Sequence, residues 1–172
     1  MHRAIALLAM ALGAIGTAQA QTVAEIDKRD AAVDEAWNKT PLSAQHVVFV
    51  AQHPDGYGQY VPRADNVFKP GEKLVTYAEP VAYAWKDIGN GQYQFGFDVD
   101  FLIKTPDGKM LAGQQNFAKV SENSHARNRE FNLTLTMAVN GAGPGDYVLE
   151  YKLHDHASDK VATFDQPFKI AN

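Results

Sequence analysis

The chain has 172 residues, with 16 Lys and Arg against 20 Asp and Glu, and no cysteine. The formal net charge of −4 gives no electrostatic footprint for nucleic acid, whose binding depends on neutralising phosphates, and it disfavours anionic membrane surfaces equally. Without cysteine we expect no disulfide, no thiol nucleophile and no lipid attached to a leading cysteine.

Residues 1–20 have the pattern of a secretory signal peptide. Arg3 supplies a positive start, Ile5 to Ile15 form an almost unbroken apolar run, and Ala18-Gln19-Ala20 matches the small-x-small cleavage pattern. We expect cleavage between Ala20 and Gln21, and a periplasmic or secreted protein of 152 residues (172 − 20). No later run approaches the roughly twenty apolar residues that a membrane span requires.

The segment Val23 to Thr40 predicts one amphipathic helix within residues 21–41. Val23, Ile26, Val33 and Trp37 fall on one side of a 3.6-residue period, and charged residues fill the other side. Thr40-Pro41 ends the pattern, because proline disfavours a helical conformation in the residue before it. The apolar stripe has to be covered, either by the rest of the chain or by a partner.

Residues 42–172 alternate with a period of two, which predicts a single β-domain. The runs QYQFGFDVDFLIK, EFNLTLTMAV and DYVLEYKLHDH each place apolar side chains on one face and polar ones on the other, as antiparallel sheets with one solvated face require. Weaker strands are predicted at 46–51, 73–79, 81–88, 109–115 and 160–170. With turn groups such as Gly89-Asn90-Gly91 and Pro106-Asp107-Gly108, the pattern predicts a mainly β, antiparallel sandwich of about seven to nine strands.

The C-terminal run PGDYVLEYKLHDHASDKVATFDQPFKI, Pro144 to Ile170, resembles the closing hairpin of immunoglobulin-like and fibronectin-III-like sandwiches in exported bacterial proteins. Pro-Gly-x-Tyr opens one strand of this run, and Pro-Phe-x-Ile ends the next. Upstream, FKPGEKLVTYAEPV resembles an edge hairpin of such domains. The resemblance implies a fold and transfers no active site.

Two histidines and two aspartates are candidate metal ligands. His154 and His156 lie two residues apart on one predicted strand, and Asp98 and Asp100 have the same spacing on another. If the two strands are neighbours, the four side chains form a set suited to zinc, copper or manganese, and His46 is a further candidate. A solvated strand end explains the histidines equally simply. We therefore expect no cofactor, unless these side chains hold a divalent metal ion.

Arginine and aromatic side chains are the other candidates for ligand binding. The polar run from Ser121 to Asn128 predicts a loop, and Arg127 and Arg129, in it and just after it, could grip a carboxylate or phosphate, or pair with Asp98, Asp100 or Glu130 and hold a sheet edge. Tyr57 and Tyr60 lie in an irregular loop, where they form either a platform for sugars or part of the core. Tyr83 and Trp85 pose the same choice, and their alternation favours the core.

The sequence lacks three common catalytic motifs. It lacks a Gly-x-Ser-x-Gly elbow, a His-Glu-x-x-His pair and a phosphate-binding glycine loop, so we predict no catalytic residues. The leading interpretation is a non-enzymatic, exported sandwich protein with a binding or assembly role, whose partner is an envelope protein or a small ligand. Metal binding and sugar recognition are the alternatives.

Overall fold

The computed structural model describes residues 22–172. The predicted signal peptide and its cleavage site therefore lie outside the described residues. The described chain forms one helix and nine strands: α1 Val23–Lys39, β1 Ser43–Phe49, β2 Val67–Phe68, β3 Lys73–Val81, β4 Lys86–Gly89, β5 Gln92–Lys104, β6 Met110–Ser124, β7 Leu133–Ala138, β8 Gly145–Asp155 and β9 Val161–Ile170.

The strands form two sheets. The smaller sheet has three strands in the order β1-β3-β7. The larger sheet has six strands. Five of them follow the order β2-β9-β8-β5-β4, and β6 pairs with the edge of β5 that faces away from β8 and β4. Neighbouring strands are antiparallel, except that the short β2 runs parallel to β9. The mainly β architecture with two sheets agrees with the prediction from the two-residue alternation, and the single helix agrees with the prediction from the 3.6-residue period.

The inner faces of the two sheets enclose the core. Along β5, Phe95, Phe97 and Val99 are buried, and along β8 the buried side chains are Leu149, Tyr151 and Leu153. Successive side chains of a strand point to opposite faces, so the intervening Asp98, Asp100 and the polar residues of β8 lie on the outer face. The six-stranded sheet therefore has an aromatic and aliphatic inner face and a polar outer face.

Two predicted elements differ from the structure. The single strand expected at 81–88 is interrupted, because Ala82 adopts a positive φ of 67°, and the chain returns to extended pairing only at β4. The polar loop expected from Ser121 to Asn128 is shorter, since β6 continues to Ser124 beside the full length of β5. Polarity alone did not indicate a loop there, because an edge strand can expose polar side chains along most of its length.

Trp37, near the C-terminal end of the helix, packs against the sandwich. The indole Nε1 of Trp37 donates a 2.6 Å hydrogen bond to the carbonyl oxygen of Tyr83, and its ring stacks on Trp85. The rest of the predicted stripe is not covered, since Val23, Ile26 and Val33 are 74%, 55% and 47% exposed. Among residues 22–172, no helix combines the length and the apolar character needed to cross a bilayer.

Candidate functional site

The pairing of β5 with β8 brings the predicted metal ligands together. Asp98 lies opposite His154, and Asp100 lies opposite Lys152. His156 follows the end of β8, where its backbone N–H donates to the carbonyl oxygen of Gly96 and keeps the chain beside β5. The condition that the sequence left open, that the two strands are neighbours, is therefore met. We call the four side chains of Asp98, Asp100, His154 and His156 the His–Asp face.

The four side chains form two diagonal couples. His154 Nε2 lies 2.8 Å from Asp100 Oδ2, with hydrogen-bond geometry. His156 Nε2 lies 3.1 Å from Asp98 Oδ1. This buried nitrogen is not aligned for a hydrogen bond, so the two groups are within ion-pair distance without being hydrogen-bonded. Each aspartate is thus engaged by a different histidine, and the couples do not converge on one point.

The two carboxylates stay ionised at neutral pH. Contact with His156, reinforced by Lys119, lowers the pKa of Asp98. Burial alone would raise the pKa of Asp100, but the backbone N–H of Asn116 and the ring of His154 hydrogen-bond to its charged form, and the net pKa is lowered. Hydrogen bonds to a carboxylate favour its ionised form. The site therefore presents two negative charges that the protein has already paired.

Asp98, Asp100 and His154 also line one cavity, together with Gln115 and Asn116, with a volume of about 340 Å³. Asn116 adopts a φ of 51° at the irregularity where the register of β5 and β6 shifts. Asparagine tolerates this left-handed conformation better than most residues, and its N–H points to Asp100 Oδ1 at 2.8 Å. We did not predict Gln115 and Asn116 from the sequence, although the Gln-Gln-Asn run within a strand is a signal of an irregularity.

The surrounding outer face is a network of opposite charges. Lys104 Nζ lies 2.7 Å from Glu150 and 3.3 Å from Asp165, and Lys119 Nζ lies 3.6 Å from Asp98. Glu150 and Asp165 raise the pKa of Lys104. Solvated pairs of this kind contribute little stability singly, and of these three only the pair of Lys119 with Asp98 includes a residue that lines the cavity.

The described residues contain no ready-made metal centre. In the chain from residue 22 onward, no group of three or more His, Cys, Asp or Glu side chains has the arrangement of a metal site. His46 is remote from the His–Asp face, since it lies on β1 of the other sheet, with Nε2 3.8 Å from Glu79. A metal ion at the His–Asp face would have to replace the existing contact between His154 and Asp100.

Arg127 and Arg129 contact the helix rather than the His–Asp face. Arg129 lies 3.0 Å from Asp30 and 3.7 Å from Asp34, and Arg127 lies 3.7 Å from Asp34. The guanidinium of Arg127 also lies over the ring of Tyr93. Their partners are therefore carboxylates of α1, instead of Asp98, Asp100 or Glu130, and they help to hold the helix on the sandwich.

The candidate aromatic residues occupy different environments. Tyr83 is fully buried, as its alternation favoured, and Trp85 is stacked on Trp37. Tyr60 stacks on the buried Tyr77 with ring centroids 4.2 Å apart, and Tyr57 is 40% exposed. Because Tyr83 is inside the core, the four rings that the sequence singled out do not share one exposed surface.

A buried carboxylate that the sequence reading missed anchors the loop that carries Tyr57 and Tyr60. Glu79, on β3, accepts a hydrogen bond from the hydroxyl of Tyr77, which in turn accepts one from the backbone N–H of Gly58. Burial, followed by the charge of Glu79, raises the pKa of Tyr57. Buried polar groups are normally hydrogen-bonded, and here the bonds attach the loop to β3, the central strand of the smaller sheet.

No protein-family model and no curated protein sequence matches the chain. Among solved structures, the chain is similar to the sulfur carrier protein SoxY from Chlorobium limicola f thiosulfatophilum, with 13% identity and a TM-score of 0.29. The alignment covers 86% of this chain and 99% of that chain. A similarity at this level supports no transfer of function.

Proposed function

We propose that the protein is an exported, non-enzymatic binding protein of the bacterial cell envelope, and that its ligand contacts the His–Asp face. The observation that carries the proposal is the cavity of about 340 Å³ in which Asp98, Asp100 and His154 meet Gln115 and Asn116. Small-molecule sites have volumes of a few hundred Å³ or more and a few convergent polar groups. The sheet provides a rigid support, because β5 is paired on both sides.

The export and the fold family are parts of the same proposal. Residues 1–20 support a periplasmic or secreted location through their charged start, apolar run and Ala18-Gln19-Ala20 ending. The immunoglobulin-like assignment rests on the resemblance of Pro144 to Ile170 to a closing hairpin, and it is compatible with the antiparallel pairing of β8 and β9. Fractionation of expressing cells, with N-terminal sequencing of the processed chain, tests the first part: we expect a chain that starts at Gln21 outside the cytoplasm.

The ligand should be positively charged or rich in hydrogen-bond donors, because the cavity presents the carboxylates of Asp98 and Asp100 and the amides of Gln115 and Asn116. Native mass spectrometry of the mature chain, purified from the envelope without denaturation, checks this. We expect a bound species that is lost from the double variant Asp98→Asn, Asp100→Asn. The matched control is Asp107→Asn, Asp159→Asn, which removes the same charge from exposed turns and should retain the species.

A divalent transition-metal ion is the second candidate ligand. It is favoured because two carboxylates and the imidazole of His154 line one cavity, and zinc and copper accept both ligand types. Calorimetric titration with Zn²⁺ and Cu²⁺ tests it: we expect binding that His154→Ala or Asp100→Asn abolishes. His125→Ala is the control, because His125 lies near Gly91 and Gln92 and away from the cavity. Affinity no tighter than high micromolar, or equal binding by all variants, would exclude the metal.

A further inference from the structure

The start of β6 has a cavity on each of its two sides. Met110 and Leu111 are 64% and 47% exposed, which is unusual for two consecutive large apolar side chains. The first cavity, of about 450 Å³, lies toward the outer face and is lined by Asp100, Glu150 and Lys152 as well as by residues of β6. The second, of about 510 Å³, lies on the other side of the segment.

The second cavity, which we call the inter-sheet cleft, lies where the edges of the two sheets face each other. β6 pairs only with β5 and β7 only with β3 in the part of the chain that the structure describes, so both are edge strands. The residues that line the cleft between them include Ile103, Leu111, Met137, Val139, Ala142 and Tyr147.

Charge distinguishes the two cavities. None of the residues that line the inter-sheet cleft carries a charge, whereas the outer cavity has two carboxylates and an ammonium group. Two polar side chains, Asn140 and Tyr147, line the cleft, and the hydroxyl of Tyr147 already donates to the carbonyl oxygen of Gly143 at 2.8 Å. A charged ligand would lose its hydration in the cleft and find no opposite charge there.

We propose that the inter-sheet cleft binds an uncharged, largely apolar small molecule. Its volume falls within the range of small-molecule sites. Its floor is the edge of the core, since Ile103, Met137 and Val139 are buried, and a bound apolar molecule would remove the exposed surface of Leu111 from water. This site is independent of the His–Asp face and does not rest on the function proposed for it.

The test uses the neutral fluorophore N-phenyl-1-naphthylamine and the mature chain from residue 21. Ala142→Asp places a charge in the cleft only, and Met110→Asp places the same charge in the outer cavity only. We expect saturable fluorescence enhancement that is weakened about tenfold or more by Ala142→Asp and less than about twofold by Met110→Asp. Thermal unfolding of each variant checks that it is folded.

A second variant and a second probe complete the experiment. Ala142→Phe fills the cleft without adding charge and should weaken binding of the neutral fluorophore as Ala142→Asp does. Anilinonaphthalene sulfonate, which carries a negative charge, should bind the wild-type chain about tenfold or more weakly than the neutral probe. The proposal is overturned if the wild-type chain gives no saturable signal, if Met110→Asp has the larger effect, if Ala142→Phe leaves binding unchanged, or if the charged probe binds equally well.

Discussion

The inner and outer faces of β5 show two different ways in which one strand is held. On the inner face, Phe97 packs against the rings of Tyr83 and Phe131, with centroid distances of 5.8 and 6.1 Å. On the outer face, Asp98 contacts the half-buried His156 and the exposed Lys119, and Asp100 contacts the partly exposed His154. Apolar contacts hold the inner face, while hydrogen bonds and polar contacts fix the side chains of the outer face.

Among the substitutions that test this comparison, removal of an inner-face ring should reduce the free energy of unfolding most. We expect Phe97→Ala to reduce the free energy of unfolding by about 4 kcal/mol, because a fully buried phenylalanine loses its transfer energy and leaves a cavity. Leu102→Ala, on the outer face of the same strand, should cost about 1 kcal/mol, as is common for partly exposed positions. Urea denaturation followed by circular dichroism measures both, and equal losses would contradict the division between the faces.

A smaller but still large effect is expected at Gly96, the outer-face neighbour of Phe97. Gly96 has a φ of 155°, and a Cβ there would lie 2.1 Å from the backbone oxygen of Val120. We expect Gly96→Ala to cost about 3 kcal/mol, since overpacking against a paired backbone forces β5 and β6 apart. At Gly113, the added Cβ would meet the terminal Cδ2 of Leu102 at 2.5 Å, which can rotate away, and its nearest backbone contact, the carbonyl oxygen of Phe101, is at 3.0 Å instead of 2.1 Å.

Gly113→Ala is therefore the matched control, with an expected loss below about 1.5 kcal/mol. Both substitutions add one methyl group to a glycine in the pair of strands β5 and β6. Comparison of their thermal unfolding midpoints separates backbone contact from side-chain contact. If Gly113→Ala lowered the unfolding midpoint more than Gly96→Ala, the close backbone approach of β5 and β6 at Gly96 would not be the main restriction on side-chain size in this pair of strands.

The same comparison shows which parts of the site can be predicted from sequence. Alternation alone places Asp98 with Asp100, and His154 near His156, on solvated faces, because side-chain direction follows from strand geometry. It does not say that β8 lies beside β5, since β6 and β7 intervene in the chain and pairing between distant strands is not a local property. The conformation of Asn116 and the contacts of Arg127 with α1 depend on the same distant packing.

The smallest expected effect is the acid sensitivity of the outer face. The pKa of Asp98 and that of Asp100 are lowered in the folded chain, so the unfolded chain binds protons more tightly than the folded one. The stability that these groups contribute is fully present above the unfolded aspartate value of about 3.9 and is lost as the pH falls below it, through the folded pKa values. Solvent screening limits each contribution to about 1 kcal/mol or less.

Thermal unfolding of the mature chain between pH 6 and pH 2 measures this contribution. Asp98→Asn, Asp100→Asn should flatten the acid limb, whereas Asp107→Asn, Asp159→Asn should leave it close to that of the wild-type chain. Added salt should reduce the difference, because it screens exposed pairs. An unchanged acid limb in Asp98→Asn, Asp100→Asn would mean that the diagonal couples do not hold their carboxylates ionised, and the charged cavity proposed as the ligand site would lose its main support.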